Sequence, residues 1–210
     1  MEPLFKTEDL VFGGFLKYAD LSFPAGKITF ITGESGSGKS TLFKILNGTL
    51  SPSKGRAYYR GRDIEALDAI ALRREVSLVS QEPFLFDGAV RENFDAYYAY
   101  REQSPPTDAD IKKLLSSFLL DFGTDAPTRT FSGGEKQRLY IAVFLSFQPR
   151  VLLLDEPTSA LDAATGASVL SAIIKSCREN GTEVVVVSHS VQMAEQFAQN
   201  TLHLRKEAAL

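Results

Sequence analysis

Ile28-Thr29-Phe30-Ile31-Thr32-Gly33-Glu34-Ser35-Gly36-Ser37-Gly38-Lys39-Ser40 is the stretch that decides the fold. The β-rich run from 28 to 32 reads as a strand that stops at Gly33. Beyond Ser40 the apolar residues Leu42, Phe43, Ile45 and Leu46 recur at helical spacing. Strand, glycine-rich loop and helix therefore follow one another. In that setting Gly33 to Ser40 satisfies G-x-x-x-x-G-K-[ST]. Glycines let the backbone curl its N–H groups around phosphate oxygens, and the start of the helix adds a favourable dipole. Gly33, Glu34, Ser35, Gly36, Ser37, Gly38, Lys39, Ser40 and Thr41 are the expected nucleotide-phosphate cradle. Lys39 is expected to reach the β- and γ-phosphates and Ser40 to ligate Mg²⁺.

Moving outward, Gly48 and Pro52 break the helix, Ala57-Tyr58-Tyr59 enters a turn at Arg60-Gly61-Arg62, and Val76 to Ser80 reads as another short strand. Between Gln81 and Gln148 strand-like runs largely disappear. A Ser104-Pro105-Pro106 break precedes an expected amphipathic helix with Ile111, Leu114, Leu115, Phe118 and Leu119 on one face. The strand pattern returns at Val151-Leu152-Leu153-Leu154 and at Val184-Val185-Val186-Val187. Both runs are too apolar for a solvated face and suit the middle of a parallel sheet. Val169, Leu170, Ile173, Ile174 and Cys177 mark a helix between them, completing a strand-helix-strand crossover. The fold class is therefore α/β, a core interrupted by a helical insertion. Asp155 and Glu156 end the first apolar strand at the edge where open α/β sheets bind ligands. Asp155 suits the Mg²⁺ shell, and Glu156 suits orientation and polarisation of an attacking water.

Composition narrows the class. With 210 residues the chain predicts one domain, or one domain carrying a modest insertion. Lys and Arg number 23 against 26 Asp and Glu, a formal charge of −3, so no global electrostatic attraction to nucleic acid is expected. The single Cys177 permits no intrachain disulfide and points to a reducing compartment. No apolar stretch approaches the roughly 18 to 20 residues needed to cross a bilayer. The N-terminus Met1-Glu2-Pro3-Leu4 lacks the pattern of an export signal.

Phe131-Ser132-Gly133-Gly134-Glu135-Lys136-Gln137-Arg138 separates one P-loop family from another. Ser132 and Glu135 form an S-x-x-E capping box, and two glycines expose backbone N–H groups at the start of a helix running toward Phe147. This run resembles the signature sequence of ABC (ATP-binding cassette) ATPases. The resemblance covers nearly the whole chain: a Q-loop at Gln81, Walker B at 151 to 156, a D-loop at Ser159-Ala160-Leu161-Asp162 and a switch histidine at His189. It implies a P-loop NTPase core with a mainly parallel sheet and an antiparallel β edge. The core is expected at about 1–81 and 149–210, with a helical subdomain at about 82–148, all in one nucleotide-binding domain.

The same resemblance implies ATP and Mg²⁺ as cofactors and hydrolysis promoted by Glu156. Gln81 would sense Mg²⁺ or the water, and His189 would contact the γ-phosphate. Ser132, Gly133, Gly134 and Glu135 would bind the nucleotide of a partner cassette. Taken alone, His189 reads rather as a strand-end histidine satisfied by backbone, a reading that the resemblance moves for His189 only and that His203 keeps. Phe131 stands where Leu is usual and Glu135 where Gln is commoner. Phe12, Phe15 or Tyr18 is the expected adenine-stacking ring, of which Phe12 is chosen. The partners implied are a second copy or a paralogous cassette, docked head to tail, and a separate integral membrane permease. The implied location is cytoplasmic, peripheral on the cell membrane. The Q-loop segment is similar to that of exporter cassettes, and the overall length to small stand-alone cassettes of bacterial metal (iron) exporters. Phe94, Tyr97, Tyr98 and Tyr100 either line a docking groove or pack within the helical subdomain.

Overall fold

The computed structural model describes residues 2–205 and the backbone of 207–208. From the N-terminus, β1 (Phe5–Phe12), β2 (Leu16–Lys17) and β3 (Ser22–Phe23) precede β4 (Thr29–Gly33), the glycine-rich loop and α1 (Lys39–Leu46). β5 (Lys54–Tyr59), β6 (Arg62–Asp63), α2 (Ala69–Glu75) and β7 (Val76–Val79) follow. The middle of the chain is helical, with α3 (Val90–Tyr100), α4 (Asp108–Ser117) and α5 (Gly133–Ser146). β8 (Val151–Asp155), α6 (Ala163–Asn180), β9 (Glu183–Val187), α7 (Val191–Phe197), β10 (Asn200–Leu204) and β11 (Glu207–Ala208) complete the order. These elements form two compact units, Met1–Leu78 with Arg150–Glu156 and Thr182–Leu210, and Val79–Pro149 with Pro157–Gly181.

The first unit is built on two sheets. One has the order β10-β4-β9-β8-β7 and runs parallel from β10 through β8. Val151 to Leu154 and Val185 to Val187 are fully buried, as strands inside a parallel sheet require. The other sheet has the order β11-β2-β1-β5-β6, with β3 also on β1, and its pairs are antiparallel. This is the antiparallel β edge that the resemblance implied. α1 buries Leu42, Phe43, Ile45 and Leu46 in the core, where each contributes about 1.5–3 kcal/mol by leaving water.

The second unit packs α3, α4 and α6 against α5. Asp162 caps α6 by accepting from Ala164 N at 3.1 Å and Thr165 N at 3.0 Å, and Gly181 closes it in the left-handed conformation. The apolar stripe of α4 differs from its expected extent. The helix ends at Ser117, and Leu119 sits at φ 57° and 59% exposed instead of on the buried face. The cause is a helix-ending turn in which Leu119 N donates to Ser116 O and Leu120 N to Leu115 O. Leu120 takes the buried place beside Leu115.

Candidate functional site

Strand register aligns the site in the first unit. Ile31 of β4 pairs with Val187 of β9, and Val187 pairs with Asp155 of β8. The three strands therefore release their next residues side by side: Thr32 and Gly33, Ser188 and His189, and Glu156. Ser188 N donates to Ile31 O at 3.2 Å and Glu156 N to Val187 O at 3.0 Å, which stitches these ends together.

Gly33 is fixed from behind by β10, whose Leu204 lies opposite it in the ladder. Gly33 has φ 149°, and a Cβ there would stand 2.3 Å from the Leu204 carbonyl oxygen. Only glycine fits at this point of the loop. Lys39 is 6% exposed, and its Nζ donates to Gly33 O at 2.9 Å and Glu34 O at 2.8 Å. Two of its three donors thus brace the loop on which it stands. Burial lowers the Lys39 ammonium below its ordinary value, against the opposing pull of Glu156 and Asp155. Gly38, at φ 90°, caps α1 without a side-chain bond, so no side chain competes for the first N–H groups of that helix. Ser35, Gly36 and Ser40 are exposed along the loop, Thr41 is half-buried, and the buried Ser37 Oγ has no hydrogen-bond partner.

Asp155 and Glu156 are 6% and 8% exposed. Glu156 adopts φ 49°, a left-handed conformation that non-glycine residues hold only where the surroundings enforce it. His189 N donates to Glu156 Oε2 at 3.3 Å, and His189 Nε2 lies 3.3 Å from Oε1. Burial raises the Glu156 carboxyl above the ordinary carboxylate range, opposed by His189 and Lys39. Asp155 Oδ1 and Glu156 Oε1 are buried without a hydrogen-bond partner. Asp155 Oδ1 left this way fits a divalent cation, since an unpaired buried carboxylate oxygen is costly, whereas Glu156 Oε1 faces His189 Nε2. The Asp155 carboxylate and the Ser40 hydroxyl are each hard-oxygen donors of the kind that Mg²⁺ takes.

Gln81 is exposed at the start of the second unit, next to Ser80, whose hydroxyl lies 3.3 Å from the Tyr140 hydroxyl. Ser132 and Glu135 form the capping box in full: Glu135 Oε2 accepts from Ser132 N and Oγ, each at 2.7 Å, and Glu135 N donates to Ser132 Oγ at 3.3 Å. These bonds hold the Glu135 carboxyl below its ordinary range. Ser132 and Gly133 are exposed, Gly134 is half-buried, and Phe131 is packed inward with its ring 4.4 Å from that of Phe122.

The aromatic candidates separate. Phe15 is 68% exposed, Phe12 is half-buried against the core, and Tyr18 is 1% exposed with its hydroxyl donating to Gly38 O. His203 Nδ1 lies 3.1 Å from Thr32 Oγ1 in β4, a polar contact on the ladder. Two contributors escaped the sequence reading, the Leu204 carbonyl behind Gly33 and the Tyr18 hydroxyl on Gly38. The Tyr18 ring was legible, but no local pattern tied it or the Leu204 carbonyl to the loop.

Comparison with known proteins agrees with this geometry. The profile of the family described as ABC transporter matches residues 16–159. Protein STAR1 of Oryza sativa subsp. japonica is 40% identical over 87% of this chain, which spans 53% of that protein's length. The probable iron export ATP-binding protein FetA of Escherichia coli is 37% identical over 83% of this chain and 77% of its own. Among solved structures, CbiO1 of Clostridium perfringens, described as part of the ABC transporter complex CbiONQ, superposes with TM-score 0.82 and 27% identity, covering 98% of this chain and 86% of that one. A dimeric post-hydrolysis state of the ATP-binding cassette MJ0796 bound to ADP and Pi superposes with TM-score 0.81 and 26% identity, covering 98% and 99%. Together with the loop, the acidic strand end and the signature run, these matches establish that the chain belongs to the ABC transporter family, of which it is an ATPase cassette.

Proposed function

We propose that this chain is the ATP-hydrolysing subunit of a membrane transporter whose permease is a separate polypeptide, and that both units together form one nucleotide-binding domain. The observation that carries the catalytic reading is Glu156, a buried carboxylate in a left-handed conformation whose Oε1 makes no hydrogen bond and lies 3.3 Å from His189 Nε2. Residues 33–41 bind the triphosphate, through the N–H groups at the start of α1 and the Lys39 ammonium. Asp155 and Ser40 would hold Mg²⁺, which when bound neutralises charge on the β- and γ-phosphate oxygens. Glu156 orients water for in-line attack on the γ-phosphate and accepts its proton. The His189 backbone N–H keeps Glu156 in place through Oε2. ADP and inorganic phosphate leave.

The working assembly is a head-to-tail pair with a second copy or a paralogous cassette. The exposed Ser132 and Gly133 support this, as does the dimeric state described for MJ0796. No helix among the described residues is long and apolar enough to cross a membrane. The aromatic group of the second unit is divided. Phe94 and Tyr98 are buried, Tyr97 is half-buried with its hydroxyl donating to Phe84 O, and Phe84 and Tyr100 are 60% and 78% exposed. The exposed pair is a reasonable contact for a membrane subunit on the cytoplasmic face of the membrane. Export of a metal ion is the finer reading, supported by the likeness to FetA.

The test is a pull-down of the tagged chain from detergent-solubilised membranes of its source, with the soluble fraction alongside. Near-stoichiometric recovery of a polytopic membrane protein is expected. Recovery of ribosomal or nucleic-acid proteins alone would overturn the transport reading. A chain without Glu156-dependent phosphate release would be an assembly module instead of an enzyme.

A further inference from the structure

Tyr18 follows β2 and is 1% exposed. Its hydroxyl donates to Gly38 O at 2.9 Å. The Gly38 carbonyl also accepts Leu42 N at 2.8 Å, the first backbone bond of α1. A Cβ on Gly38 would lie 2.5 Å from Leu16 Cδ2 and 2.7 Å from the Tyr18 oxygen, so this segment lies directly against the last glycine of the loop.

The peptide plane links these contacts to chemistry. No peptide bond described is cis, and in a trans peptide the C=O and the following N–H point in opposite directions from one rigid plane. Fixing Gly38 O therefore fixes Lys39 N–H. That N–H stands at the first position of α1, among the donors that no helical carbonyl can satisfy.

We propose that Tyr18 is a positioning residue for the phosphate cradle, its hydroxyl locking the Gly38–Lys39 peptide so that Lys39 N–H is presented to the nucleotide phosphates. The proposal rests on the reading of residues 33–41 as that cradle and adds a group that never touches the ligand. A buried tyrosine that only satisfies its own hydroxyl would look similar, but the two roles differ in what they change. A packing role governs melting. A positioning role governs phosphate affinity.

The experiment compares the full-length protein with Tyr18→Phe, which keeps the ring and removes the hydroxyl, and Tyr18→Leu, which removes both. The readouts are KM and kcat for ATP hydrolysis, the inhibition constant of inorganic tripolyphosphate, and the melting temperature. In Tyr18→Phe, KM and the tripolyphosphate constant should rise together by about 3- to 10-fold, the effect of roughly one hydrogen bond, with kcat changed by less than about 2-fold. Tyr18→Leu should show a similar KM at a clearly lower melting temperature. Unchanged KM in Tyr18→Phe overturns the proposal. So does a KM that climbs in step with lost melting temperature across the two variants. Wild-type protein that binds neither ATP nor tripolyphosphate would refute the cradle reading itself, an outcome distinct from equal binding by wild type and Tyr18→Phe.

Discussion

Gly33→Ala tests the claim that the far end of the chain shapes the phosphate loop. The new Cβ would meet the Leu204 carbonyl oxygen at 2.3 Å and Ser37 Oγ at 3.1 Å. An ordinary C···O contact is about 3.3 Å or more, so a gap of roughly 1 Å must open. The obstacle is backbone and cannot rotate away, because Leu204 is the last of five β10 residues in parallel register with β4. Alanine must also hold φ near 149°, which costs about 1–3 kcal/mol. Loss of the terminal ladder bond adds about 0.5–1.5 kcal/mol. The sum, about 1.5–4.5 kcal/mol, corresponds to a fall in melting temperature of roughly 3–18 °C for a chain of this size. Circular dichroism melts report the fall, and ATP titration should report weaker binding because the displaced residue carries a carbonyl that Lys39 grips. A variant that melts within about 2 °C of wild type and binds ATP equally would refute the argument.

Four further outcomes are expected. Glu156→Gln keeps the shape but loses the base, and should cut the hydrolysis rate by about 10²- to 10⁴-fold while trapping an ATP-bound dimer; a monomer at saturating Mg-ATP on size exclusion would count against the sandwich. Because burial raises the Glu156 carboxyl, the acid limb of kcat/KM should lie above the ordinary glutamate value of about 4.3 and not below it. By the same sign, this group makes the fold less stable as pH rises from its unfolded to its folded value, since only the unfolded chain is ionised in that window. Glu156→Gln should remove that slope in pH-dependent melts, and an unchanged slope would exclude Glu156 as its source. Phe12→Ala and Phe15→Ala separate the stacking candidates: the residue that stacks on adenine should raise KM for ATP while leaving tripolyphosphate inhibition unchanged. Phe15, 68% exposed, should do so with little loss of melting temperature, whereas Phe12, packed against the core, should lower it.

Motifs made of neighbouring residues were legible because backbone chemistry acts over a few positions. The glycine-rich loop between β4 and α1 needs only its own glycines and lysine. The Ser132–Glu135 capping box closes within one helical turn. The apolar runs of β8 and β9 announced interior strands because both their faces are covered. Leu119 shows where this reasoning stops. Its spacing matched the buried stripe of α4, but a helix end is set by the turn that terminates it, and three residues there outweigh the periodicity. β1 and β11 also went unread, since β1 mixes charged and apolar residues and the register of both depends on strands elsewhere.

The sequence by itself determined a phosphate loop, an acidic strand end, a second glycine-rich helix start and an α/β class, each carried by residues adjacent in the chain. Only the tertiary structure decided that Glu156 is buried in a left-handed conformation beside His189, that Leu204 leaves room for nothing but glycine at position 33, and that Tyr18 is buried with its hydroxyl on the Gly38 carbonyl. The physical reason is common to all three. Desolvation, steric exclusion and the satisfaction of a buried hydroxyl depend on which atoms arrive from distant strands, and strand register, not local pattern, sets that arrival.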